Sequence, residues 1–268
     1  MKIKIYGSRG TLPFFSRENL IYGGNTSCVR IETRGRTILL DGGTGLVQYS
    51  LENKGKAGLE CDILLTHLHF DHIFGFLGLS QLFDKSNKIR IFTKSRGGAP
   101  LAEQIFGAFV PPYWPIPFSE FITAEYVEIL EDTAFFIEPE IKITPFKAEH
   151  PDDTTVFRID SDKSVVYLMD YEVDKTVRYD DLVRFCENAD LIIFDAAYLP
   201  EDYPAKKGWG HSTYETALAL AKDSNCKKMV LSHFSHEYND SVIESIKTHI
   251  KTPDNKILPG YDGMEIEL

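Results

Sequence analysis

The sequence predicts an α/β protein in which helices cover a pair of packed β-sheets. Two observations carry this. Short β-rich runs separated by glycine turns fill the first third of the 268 residues, and strands alternate with helical stretches over the last third. No linker, low-complexity segment or solenoid-type repeat interrupts them, so one domain over residues 1–268 is expected.

The first strand covers Lys2–Tyr6. The turn Tyr22-Gly23-Gly24-Asn25 leads into strands at Ser27–Thr33 and Thr37–Asp41. A second glycine-rich turn, Asp41 to Gly45, precedes the strand Asp62–Thr66. A helix is expected near Asp71–Leu82, a strand at Ile89–Thr93 and a helix at Pro100–Ala108. Residues 109–118, FVPPYWPIPF, hold too much proline for either element. Strands resume at Tyr126–Ile129, Ile141–Lys147, Thr155–Ile159 and Val165–Met169. Alternation follows: helix Lys175–Glu187, strand Leu191–Asp195, helix Thr213–Asp223, strand Lys228–Ser232, helix Ser241–Lys251 and a last strand near Met264–Glu267.

A formal net charge of −11 disfavours a non-specific nucleic-acid binder or an anionic-membrane binder, because both need a basic face. A small phosphate ester stays open as a substrate, since one metal site reverses the local field. Cys28, Cys61, Cys186 and Cys226 form no CxxC pair and read as reduced, mostly buried thiols. With no apolar signal region at MKIKIYGSRG and no run long enough to span a bilayer, a cytoplasmic protein is expected.

THLHFDH, Thr66 to His72, places three of the eight histidines in the turn between an apolar strand and a helix. Loops at strand ends are where a rigid scaffold presents reactive groups. In an extended turn His67 and His69 project to one side, with Asp71 and His72 just beyond. Imidazole nitrogen and carboxylate oxygen suit zinc, and manganese or iron as well. Four such donors exceed what one open tetrahedral ion needs, so the pattern points to two metals with further ligands from elsewhere. His150, Asp170 and His233 each end an apolar strand, as if one edge of the sheets gathered ligands.

These motifs, in order, resemble the metallo-β-lactamase fold: LLDGGTG with Asp41, THLHFDH, His150, YLMD ending at Asp170, and LSHFSHEY containing His233. The resemblance runs over nearly the whole chain and implies an αββα sandwich of two mixed sheets with helices on the outer faces. By it, His67, His69 and His150 would hold one divalent ion, and Asp71, His72 and His233 the other. Asp170 would bridge them, and Asp41 would support the turn. Within the superfamily, GHST (Gly210 to Thr213) and LSHFSHEY resemble the branch of tRNase Z, the phosphoribosyl cyclic phosphodiesterases and the anti-Pycsar cyclic-nucleotide phosphodiesterases. That branch also implies a homodimer.

Two divalent ions hold a hydroxide between them and neutralise both oxygens of an in-line displacement. Asp71 is placed to orient that hydroxide, and His211 to give the leaving alkoxide its proton, with Asp195 accepting the other ring N–H. The expected activity is hydrolysis of a small, cyclic or open, nucleotide or sugar phosphodiester. A tRNase Z-like endonuclease and a lactone, thioester or β-lactam hydrolase are the alternatives. DAAY, Asp195 to Tyr198, replaces the HEATF of the tRNA enzymes, and no basic, glycine-rich arm lies between His72 and His150. Both departures weigh against tRNA. Phe109, Tyr113, Trp114 and Phe118 offer rings that could stack on a nucleobase at the mouth of the site.

Overall fold

A computed structural model describes residues 1–121, 123–252 and 256–268. In chain order, the strands of the N-terminal half are β1 (Lys2–Gly7), β2 (Cys28–Thr33), β3 (Arg36–Leu40), β4 (Glu60–Leu64), β5 (Lys88–Lys94), β6 (Ala124–Ile129) and β7 (Phe135–Glu138). The rest are β8 (Ile141–Lys147), β9 (Thr155–Asp160), β10 (Ser164–Leu168), β11 (Leu191–Asp195), β12 (Met229–Ser232), β13 (Ile257–Pro259) and β14 (Glu265–Glu267). They form two mixed sheets of seven strands, ordered β14-β1-β2-β3-β4-β5-β6 and β13-β12-β11-β10-β9-β8-β7. The last strand therefore returns to pair with the first, Ile3 opposite Ile266.

Side-chain alternation explains the layering. In β3, Ile38 and Leu40 face the second sheet while Leu39 turns outward; in β11, Leu191 and Ile193 face inward while Ile192 and Phe194 turn outward. The inward sets, with Ile5, Ile31, Ile143, Phe157 and Tyr167, fill the space between the sheets. The outward sets seat helices. α1 (Gly45–Glu52), α2 (Phe70–Ile73) and α3 (Leu101–Phe106) belong to the first half. α4 (Tyr179–Cys186), α5 (Tyr203–Lys206), α6 (Tyr214–Asp223) and α7 (Asp240–His249) belong to the second. Leu46 and Phe106 pack on the outer face of the first sheet, and Leu182, Leu220 and Ile246 on that of the second. The expected sandwich is present.

The helix expected over Asp71–Leu82 is broken. α2 stops at Ile73, and two 3₁₀ turns, Phe74–Gly78 and Ser80–Phe83, take its place. Gly75 lies so close to the preceding glycine turn that a Cβ there would come within 1.9 Å of the Gly43 carbonyl oxygen. That approach fixes the turn beside the histidines at the expense of a continuous helix. α1, α5, β7 and β13 had no sequence counterpart. All four cysteines are free and buried, and among the described residues no helix is long and apolar enough to cross a membrane.

Candidate active site

One edge of the sandwich collects the chemistry. His67, His69, Asp71 and His72 follow β4, His150 follows β8, Asp170 follows β10, Asp195 ends β11 and His233 follows β12. Asp41, Asp170 and His233 turn away from their strands with positive φ of 59°, 54° and 62°. Left-handed backbone is uncommon outside glycine and concentrates where function demands a particular side-chain direction.

The seven expected metal ligands, with His211 and Asp195, meet here. Donor atoms of His67, His69, His150 and Asp170 lie within 4.8 Å of one another, and so do those of Asp71, His72 and His233. Asp170 stands between the groups. Its Oδ1 is 3.7 Å from His67 Nε2 and 3.5 Å from His150 Nε2, whereas Oδ2 is 3.0 Å from His72 Nε2 and 3.2 Å from His233 Nε2. Asp71 Oδ2 lies 3.3 Å from both His72 Nε2 and His233 Nε2, and it accepts the Thr11 backbone N–H at 2.7 Å.

Most of these imidazoles are held by one nitrogen, which leaves the other for the cluster. His72 Nδ1 bonds Asp41 Oδ2 at 2.8 Å, His69 Nε2 bonds Asp152 Oδ2 at 2.5 Å, and His150 Nδ1 meets Thr154 Oγ1 at 3.1 Å. Asp41 also accepts from the Thr66 N–H at 2.8 Å and the Tyr167 hydroxyl at 3.0 Å, so it orients the turn. Asp152 was not legible as a partner of His69, although it lies only two residues beyond His150.

Burial alone would raise the Asp170 carboxyl, but His233, His72 and His67 hold it well below the usual carboxylate range. Asp71 is likewise held down, against its burial, chiefly by His72. Burial pushes His67 well below an ordinary histidine, so its ring is neutral and free to ligate. The donor set fits divalent cations. Anionic carboxylates converge with imidazole nitrogens, and His67 Nε2 and Asp170 Oδ2 are buried with no hydrogen-bond partner among the described residues.

His211 sits beside this cluster. Its Nδ1 bonds Asp195 Oδ2 at 2.8 Å, and its ring stacks on His233 with centroids 5.0 Å apart. Asp195 is itself fixed, accepting the Asp170 N–H at 3.1 Å and the Ala197 N–H at 2.9 Å. Burial pulls the His211 ring down, but Asp195, with smaller help from Asp170 and Asp71, raises the ring to about 9. His211 also has donor atoms near those of Asp170 and His233, a grouping the sequence did not suggest.

His69, Asp71, His150, Asp170 and His211 line a pocket of about 250 Å³ with Thr11, Tyr198, Lys206, Trp209 and Glu237. No residue of the aromatic segment 109–118 lines it. Phe109 is buried, Phe118 packs 6.4 Å from Phe106, and Tyr113 and Trp114 line a separate apolar groove with Phe70 and Phe74. That groove shares no lining residue with the pocket beside His211. Phe109 joins the outer core of the first sheet and Trp114 and Phe118 pack partly against it, whereas Tyr113 is exposed. Arg9, in the YGSRGT segment, is fully buried and gives its guanidinium to the carbonyls of Gly23, Ser235 and Tyr238. It thereby ties the segment after His233 to the N-terminal loop.

A family model for the β-lactamase superfamily domain matches residues 36–234. The chain belongs to the β-lactamase superfamily. Ribonuclease Z of Archaeoglobus fulgidus is 25% identical over 311 residues, covering 100% of this chain and 97% of its own. Two solved structures share the architecture at 17% identity each. One is a diphosphatase of the PhnP family, with a TM-score of 0.74 and coverage of 100% and 96%. The other is zinc-bound PqqB from Methylobacterium extorquens, with a TM-score of 0.73 and coverage of 100% of both chains. This superfamily member is a metal-dependent hydrolase of the metallo-β-lactamase fold, and that fold implies divalent metal ions.

Proposed function

We propose that this chain is a phosphodiesterase acting on a small nucleotide or sugar phosphodiester, cyclic or open. The observation that carries the reading is His211. A proton donor backed by a fixed carboxylate lines the same small pocket as His69, Asp71, His150 and Asp170. Cleaving a phosphodiester expels an alkoxide, and a cationic imidazole whose other nitrogen is held by Asp195 supplies its proton. Asp71, gripped by the Thr11 N–H, orients the attacking water.

His67, His69, His150 and Asp170 Oδ1 would hold one divalent ion, and Asp71, His72, His233 and Asp170 Oδ2 a second, with zinc the best match to this donor set. When bound, such ions supply activated water and positive charge to offset that of the reacting phosphate. Asp152 orients His69 toward the first position. Asp152→Asn should weaken zinc retention about 10- to 100-fold in chelator competition. Unchanged retention would show that Asp152 does not position the ring.

A second reading, RNA cleavage, is favoured by ribonuclease Z relatives that span the whole chain. The charge of −11 weighs against it, and the described residues between His72 and His150 run through β5, α3, β6, β7 and β8 without the basic arm a tRNA clamp would use. The test is a panel: bis-p-nitrophenyl phosphate, cyclic mononucleotides, pre-tRNA, a lactone and a thioester, each with zinc and with manganese. Turnover of the small phosphodiesters is the expected result. Turnover confined to pre-tRNA, or to the lactone and thioester, would replace the reading.

A further inference from the structure

The loop that delivers His211 also presents an aromatic face. Trp209 stands between Gly208 and Gly210, whose φ values of +87° and +92° place both in left-handed backbone. Gly210 lies directly against a candidate ligand: a Cβ there would come within 2.1 Å of His150 Cδ2. Trp209 is thus one residue from the histidine cluster, yet its side chain is 60% exposed.

An isolated exposed aromatic normally needs no explanation. This one is held in place. The Glu172 carboxylate accepts the N–H groups of Gly208 and Gly210, each at 2.9 Å, and the Tyr203 hydroxyl at 2.7 Å. The N–H groups of both glycines flanking Trp209 are pinned to one carboxylate, which follows Asp170 by two residues. The ring is exposed on a rigid mount, where binding would cost little conformational entropy.

The same pocket contains a polar pair. Lys206 is salt-bridged to Glu237, and its Nζ sits 4.6 Å from the Tyr198 ring centroid. An indole face beside one cationic donor and one carboxylate acceptor suits a ligand with a flat π-surface and polar edges. A nucleobase has both. A hydrocarbon chain would gain nothing from the charged pair, and a bare sugar would lay only a C–H face on the indole, without the π-surface that a base stacks on it.

We propose that Trp209, with Lys206 and Glu237, forms a nucleobase subsite, so that the favoured substrate is a nucleoside phosphodiester rather than a sugar or glycerol diester. This deepens the phosphodiesterase reading and rests on it for the scissile bond only. The test has two arms, both on the zinc-loaded full chain. The chain has two tryptophans, so Trp114→Phe leaves Trp209 as the only indole reporter. Adenosine monophosphate should quench its fluorescence saturably, and ribose 5-phosphate should not. The same quench should vanish in Trp209→Phe, which retains Trp114. Equal responses to the two ligands, or none, would overturn the subsite whether or not the protein hydrolyses anything.

In the kinetic arm, a cyclic mononucleotide is compared with glycerophosphoglycerol. Trp209→Ala should lower the nucleotide-to-glycerol ratio of kcat/KM by roughly tenfold or more, mainly through KM, and Trp209→Phe should restore most of it. A parallel fall on both substrates would reduce Trp209 to holding the loop and overturn the proposal. Selective quenching without turnover of any phosphodiester would retain the base subsite and remove the phosphodiesterase reading. Phosphodiester turnover without quenching would do the reverse.

Discussion

Replacing His211 with alanine lowers kcat for a phosphodiester by about 10²- to 10⁴-fold, the usual contribution of a positioned proton donor. Metal content stays at the wild-type level. The expectation follows from how the ring is held. Its Nδ1 is committed to Asp195 at 2.8 Å and stands 3.8 Å from Asp170 Oδ1, so it is engaged by a carboxylate outside the two ligand groups. Metal analysis by mass spectrometry checks this beside the rate. Loss of an ion in His211→Ala would make the ring a ligand with Asp170 and His233, the grouping that the donor distances also permit.

The pH dependence has a definite sign. A general acid works while protonated, so activity is lost as pH rises through its pKa. Burial lowers that pKa, Asp195 raises it, and bound cations lower it again. Asp195 is therefore the chief group holding the proton on His211, ahead of Asp170 and Asp71. Asp195→Asn should move the alkaline limb of the kcat profile to lower pH. An unmoved limb would detach that limb from His211.

How much of this could be read in advance depends on whether the signal was local. THLHFDH was legible because its donors crowd one turn, and His150, Asp170 and His233 because each closes an apolar run that had to be a strand. Two sheets bring such ends to one edge. What escaped depended on tertiary approach. The helix at Asp71–Leu82 looked continuous because nothing local reveals that Gly75 must press against Gly43. Asp152 is a surface aspartate until β4 and β8 place it on His69. The rings of 109–118 looked available because proline-rich loops are usually exposed, but Phe109, Trp114 and Phe118 pack on a core and only Tyr113 stays exposed. Trp209 carried a signal that went unused: a lone indole between glycines, one residue before GHST.

Removing the Asp170 carboxylate should empty both metal positions together and abolish turnover. No other residue in the cluster turns one oxygen to each group, Oδ1 toward His67 and His150 and Oδ2 toward His72 and His233. Without it each group is cut to three ligands, and the shared negative charge that offsets the repulsion between two neighbouring dications is lost. The choice of substitution matters because Asp170 has φ of 54°. Alanine in left-handed backbone adds a conformational penalty of about 1 kcal/mol or more, which asparagine largely avoids. Asp170→Ala therefore mixes backbone strain with ligand loss, whereas Asp170→Asn isolates the ligand. Both variants should retain neither ion stoichiometrically after dialysis, and the alanine variant should melt at the lower temperature. If either keeps one ion at full occupancy, Asp170 serves a single position, and the two oxygens that face different histidines are not a bridge.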